Sequence, residues 1–119
     1  MTVNEIAQKL IAFCKKDDFI GAQKELYSDD VISIEPEGSH GFDKETKGLK
    51  AVNKKIEEFM SSVEENYGNE VSEAVIGGNS FAISLAMDIK MKGQDRMTMK
   101  EICVYTVKDD KIILEQFYW

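Results

Sequence analysis

Apolar positions along the chain follow two periods in succession, three to four residues in the first half and two in the second. Thr2-Val-Asn-Glu5 has the Ser/Thr-x-x-Glu form of a capping box, and Ile6, Leu10, Phe13 and Cys14 follow at helical spacing. Asp17 or Asp18 can cap a second, short helix through Phe19, Ile20, Ala22, Leu26 and Tyr27, ending before Ser28-Asp-Asp. Val31–Glu35 reads as a short strand stopped by Pro36, and the glycine-bearing, mixed-charge stretch 37–48 as a long loop or flap. Leu49, Val52, Ile56, Phe59, Met60, Val63 and Tyr67 then mark a long helix with one buried stripe, ended by Gly68-Asn69. From there the pattern predicts only strands, at about 71–76, 81–91, 96–107 and 111–119, with turns at 77–80 and around Gly93.

Helices followed by antiparallel strands define an α+β class: three N-terminal helices packed on a highly curved sheet, the long helix across its concave side. There is no internal repeat and no linker, so residues 1–119 make one domain. Phe81, Ile83, Leu85, Met87 and Ile89 alternate with Ala82, Ser84, Ala86, Asp88 and Lys90, and Ile102 and Val104 fall on the outer side of the next strand. Small and apolar side chains on an outer face ask for a cover, most simply a second copy, so a homodimer through that face is expected. With three-residue turns, Asp88 lies opposite Lys100 on the same face.

The last two strands carry acids among their apolar residues. Met97, Met99, Glu101, Cys103 and Tyr105 share one side of the first, and Ile113, Glu115, Phe117 and Trp119 one side of the second. With Glu35 at the end of the early strand, three carboxylates converge on a pocket whose candidate lining is Phe13, Phe59, Met60, Leu85, Met87, Met97, Met99, Cys103, Tyr105, Phe117 and Trp119. Like charges in an apolar cavity cannot all stay ionised, so desolvation and repulsion are expected to raise at least one of them toward neutrality. Such a site suits proton transfer beside a carbonyl in a small apolar compound, with Glu35 as base and Glu101 or Glu115 as acid or hydrogen-bond donor. A structural role for Glu101 and Glu115, paired with lysines or a buried backbone group, is the competing reading.

Charge and composition remove other classes. Fifteen basic and 22 acidic residues give a net charge of −7, which repels nucleic-acid backbones and anionic membranes. No leader-like segment or apolar run of about 20 residues occurs, so a cytoplasmic protein is expected. Cys14 and Cys103 have no metal or redox spacing and read as buried thiols, and His40, the single histidine, falls in the loop. There is no Gly-x-Ser-x-Gly elbow and no phosphate-binding glycine loop, and no cofactor or metal is assigned.

The pair of early helices, Leu26-Tyr-Ser-Asp-Asp-Val-Ile-Ser-Ile-Glu-Pro36, the helix opening at Gly48-Leu-Lys-Ala-Val, and the ending from Met97-Thr-Met-Lys-Glu through Lys111-Ile-Ile-Leu-Glu-Gln-Phe-Tyr resemble SnoaL-like proteins of the nuclear transport factor 2-like superfamily. The resemblance covers nearly the whole chain and implies a cone-shaped α+β barrel, usually dimeric. The superfamily holds polyketide cyclases, ketosteroid isomerase, scytalone dehydratase, limonene-epoxide hydrolase and non-catalytic binding modules, so a dimerisation or ligand-binding role stands beside catalysis. Ketosteroid isomerases are similar in placing a base carboxylate before a proline where Glu35-Pro36 stands here. Their enolate-binding tyrosine and acid correspond to Leu10 and Cys103, with Glu101 one same-face step away. Their pocket-lining terminal strand matches Glu115, Phe117 and Trp119.

Overall fold

The computed structural model describes residues 1–36 and 43–119. The chain runs α1 (Val3–Lys15), α2 (Phe19–Leu26), β1 (Tyr27–Ile34), β2 (Glu45–Lys47), α3 (Leu49–Ser62), β3 (Val63–Val71), β4 (Val75–Gly77), β5 (Ser80–Met91), β6 (Arg96–Lys108) and β7 (Lys111–Tyr118). Three helices pack on a mixed sheet of seven strands, in the order β2-β1-β7-β6-β5-β3 with β4 beside β5. β1 lies parallel to β7 and every other pairing is antiparallel. The sheet is open, not a closed barrel: β2 and β3 stand at its two ends.

Helix starts follow local chemistry. The Thr2 hydroxyl accepts from the Glu5 amide while the Glu5 carboxylate accepts from the Thr2 amide, closing the capping box of α1. Asp18, not Asp17, caps α2 by accepting from the Gly21 amide at 2.9 Å. Tyr27 belongs to β1, which begins four residues before the strand expected at Val31. Both early helices bury one face, Ile6, Leu10 and Cys14 from α1 and Ala22, Gln23 and Leu26 from α2. The core is completed from the sheet by Val31, Phe81, Ile83, Ile89, Cys103 and Ile112, all essentially inaccessible.

The long helix is shorter than its apolar stripe suggests. It ends at Ser62, where the hydroxyls of Ser61 and Ser62 both donate to the Glu58 carbonyl, and the chain turns into β3. Val63 still packs against the core, from a strand, whereas Tyr67 is 47% exposed beneath the Arg96 guanidinium. The single strand expected at 71–76 is divided: β3 ends at Val71, and β4 begins at Val75. Asn69 on β3 ties the sheet to the end of α1, donating to the Cys14 carbonyl at 2.9 Å and to the Asp17 carboxylate at 3.0 Å. The stretch expected to be loop through Gly48 contains β2, while residues 37–42, His40 among them, lie outside the described residues.

Register corrects two further expectations. The β5–β6 turn sets Asp88 opposite Thr98 and Ala86 opposite Lys100, so Asp88 pairs instead with Arg96, at 2.8 and 2.9 Å. Asp109 and Asp110 both adopt positive φ in the two-residue β6–β7 turn, the geometry that matches hairpin twist. An irregularity between Thr106 and Val107 then pairs Val107 with Ile112 and Thr106 with Leu114. Ile112, not Ile113, consequently fills the inner face, and alternation resumes in phase at Glu115.

Candidate functional site

One row of register partners crosses the inner face of the sheet. Phe81, Tyr105, Glu115 and Ser33 are successive register partners across β5, β6, β7 and β1. Glu101 stands further along β6 beside Leu85, and Glu35 follows the end of β1. Glu35 and Glu115 are 4% and 2% exposed, so both carboxyls have left bulk water.

A cavity between this face and the helices is lined by Glu35, Glu101 and Glu115 together with Phe59, Leu85, Met87, Met99, Tyr105, Phe117 and Trp119 of the sequence-derived lining. Its empty space is about 750 Å³ with the open mouth included. Phe13, Met60, Met97 and Cys103 are not in the lining. Phe13 and Met97 pack against the hydrophobic core, Met60 is half-buried on α3, and Cys103 is fully buried, its thiol donating to Glu101 at 3.5 Å. Leu10, Cys14, Phe19, Ala22, Gln23, Tyr27, Lys55 and Ile56 line it as well.

Lys55, Tyr27, Ser33 and Gln23 are the functional candidates that sequence reasoning missed. Lys55 sits on α3 three residues after Val52 and four before Phe59, a cation inside an apolar stripe, and that position was the available signal. Its ammonium donates to Ser33 Oγ at 2.6 Å and to Glu35 Oε1 at 2.9 Å, and it lies over the Phe117 ring, 5.6 Å from the centroid. Ser33 in turn hydrogen-bonds Glu115, which also accepts from the Tyr27 hydroxyl. A continuous chain Lys55–Ser33–Glu115–Tyr27 therefore joins α3, β1 and β7. Only one oxygen of Glu35 is engaged: Oε2 is buried and has no hydrogen-bond partner among the described residues.

The electrostatics follow from this packing. Burial, above all, pushes the Glu101 carboxyl up to about 7; Glu35 and Glu115 push the same way, against the Cys103 hydrogen bond and the Lys55 charge. Burial also raises Glu115, opposed by Lys55, Ser33 and Tyr27. The hydroxyls of Tyr27 and Tyr105 are held well above the ordinary phenol range, first by burial, so both are neutral donors. Burial likewise lifts the Cys14 thiol to about 12, and the Cys103 thiol higher still, which makes neither a nucleophile. Among the described residues no group of three or more His, Cys, Asp or Glu is arranged to hold a metal ion. The site is thus an apolar cavity with a neutralisable acid, an ion pair and neutral hydroxyls, a combination suited to proton transfer.

The fold is of the cone-shaped α+β type, with a cavity between its sheet and its helices. The SnoaL-like domain family matches residues 1–119, and the chain belongs to that family. A Mesorhizobium loti structure described as a candidate SnoaL-like polyketide cyclase is 32% identical, with a TM-score of 0.91 and 100% of each chain covered. A Xanthomonas campestris protein of unknown function with a cystatin-like fold is 20% identical at a TM-score of 0.84, covering 99% of this chain and 90% of that one. TerC, co-crystallised with polyporic acid, is 15% identical at a TM-score of 0.79, covering 99% and 92%. No curated protein matches the chain.

Proposed function

We propose that the protein is a cofactor-free acid–base catalyst, an isomerase or cyclase, acting on a small, mostly apolar carbonyl compound. One observation carries the reading. Glu35 lines the cavity with one buried carboxylate oxygen held by Lys55 at 2.9 Å and the other without a partner among the described residues, the arrangement of a base awaiting a proton. Glu35 Oε2 takes a proton from the carbon beside the carbonyl, and the C–H electron pair moves into an enolate. Glu101, titrating at about 7, donates a hydrogen bond to the enolate oxygen, and the Lys55 ammonium adds positive charge to the same cavity. Glu35 then returns the proton to a second carbon, or the enolate carbon attacks a second carbonyl, whose C=O electron pair moves onto its oxygen and takes the proton back from Glu35. Lys55 and Glu101 thereby stand in for the tyrosine and acid whose positions hold Leu10 and Cys103. The ligand-bound TerC structure, of the same fold, agrees with a small-molecule pocket.

α-Proton exchange of 1-tetralone in D2O, followed by NMR, tests this without the natural substrate. Exchange above the buffer rate is expected, reduced at least 100-fold by Glu35→Gln. Binding of the ketone without accelerated exchange would instead favour a binding module, the reading supported by the occupied oxygens of Glu115. We further propose that the outer sheet face, where the exposed Ile102 and Tyr118 are register partners, pairs two copies into a dimer.

A further inference from the structure

Two buried acceptors in the described structure lack a hydrogen-bond partner, Glu35 Oε2 and Gln23 Oε1, and both belong to residues that line the same cavity. Gln23 is 5% exposed. The chemistry above gives it no task. A buried amide oxygen with nothing to accept from destabilises the fold, and an apolar side chain of similar length would avoid that cost. Its place is fixed by the local sequence. Phe19, Ala22, Gln23 and Leu26 form the inward stripe of a helix pinned by the Asp18 cap. One turn on, the Tyr27 amide donates to the Gln23 carbonyl while the Tyr27 hydroxyl is committed to Glu115. Tyr27 therefore has no free proton to offer the amide, and the remaining lining near α2 is largely apolar, Leu10, Phe19, Ala22 and Phe59. A hydroxyl on a bound ligand would supply the donor.

We propose that Gln23 is a specificity residue that accepts a hydrogen bond from a hydroxyl on the ligand, so that the pocket takes hydroxylated carbonyl compounds, phenolic or alcoholic ketones, over their deoxy analogues. Resting on the acid–base reading above, the assignment divides the ligand in two: a carbonyl end between Glu35, Lys55 and Glu101, and a hydroxyl end at α2. Sites built to hydrogen-bond a hydroxyl reject analogues lacking it because their own polar group is left dry.

The test compares 1-tetralone with its 5-, 6- and 7-hydroxy derivatives. Binding is followed by the fluorescence of Trp119, the single tryptophan and part of the lining, and by the Gln23 side-chain amide in 15N NMR spectra. At least one hydroxy isomer is expected to bind about three- to tenfold more tightly than 1-tetralone and to shift the Gln23 amide signal, which 1-tetralone leaves in place. Gln23→Leu and Gln23→Met should both abolish that preference, the hydroxy isomer then binding no more tightly than 1-tetralone in the same variant. Equal affinity for all four compounds in the wild-type protein, or a preference that survives both variants, overturns the assignment and leaves the α-exchange result on 1-tetralone standing. Absence of binding by all four overturns both. Because the amide signal is read in the wild-type protein, the outcome holds even if a variant fails to fold.

Discussion

The Tyr27 hydroxyl donates to the Glu115 carboxylate across 88 residues of sequence, both side chains buried. The bond joins the first residue of β1 to the centre of β7, and Ser33 and Lys55 extend it to α3. Tyr27→Phe leaves the Glu115 oxygen with one partner fewer in a medium that punishes unsatisfied charge. A loss of about 1–3 kcal/mol in urea unfolding is expected, with the fold retained. A neutral outcome would mean that water reaches Glu115.

Lys55 is the cation common to Glu35, Glu101 and Glu115. In Lys55→Met those three carboxyls face one another without it, and breaking a buried pair by removing one partner costs about 3–5 kcal/mol. The loss should be larger at pH 8 than at pH 5, where protonation relieves the repulsion. Removing the charge that lowers Glu101 should also move its titration above about 7, read by carbon-detected NMR.

Stability should depend on pH through Glu101. Its folded value of about 7 lies above the 4.5 of the free side chain, so between those values the folded state holds more proton than the unfolded chain. The contribution is complete below about pH 4.5, falls as pH rises toward 7, and is fully lost above it, a change of about 3 kcal/mol. Glu115, raised as well, adds to the same slope. Glu101→Gln should flatten the difference between pH 5 and pH 8 in denaturant titrations; an unchanged slope would assign the effect elsewhere.

Ile102, 52% exposed on the outer face opposite Tyr118, tests the proposed dimer. Ile102→Lys should convert the sedimentation behaviour from dimer to monomer while the inner-face site is untouched. A wild-type protein that sediments as a monomer at micromolar concentration would remove the proposal.

Much of the fold was legible in the sequence because its signals are local. The capping box at Thr2 and the alternation in β5 each act over a few residues, and each forms as the pattern predicts. The end of α3 was not, since Val63 and Tyr67 continue the helical spacing. Serine back-bonding and the pairing of β3 with β5 outweigh it.

The carboxylates belong to both levels. Glu101 and Glu115 were visible as acids at inward positions of strands, and Glu35 by its place before Pro36. The sequence by itself determined which side chains alternate inward, because strand geometry assigns faces at every second residue. Only the tertiary structure decided their partners. Lys55 lies 20 residues from Glu35, and Tyr27 lies 88 from Glu115. Which buried charge is neutralised, and which acceptor in Glu35 and Gln23 is left open, depends on distances that no local pattern encodes.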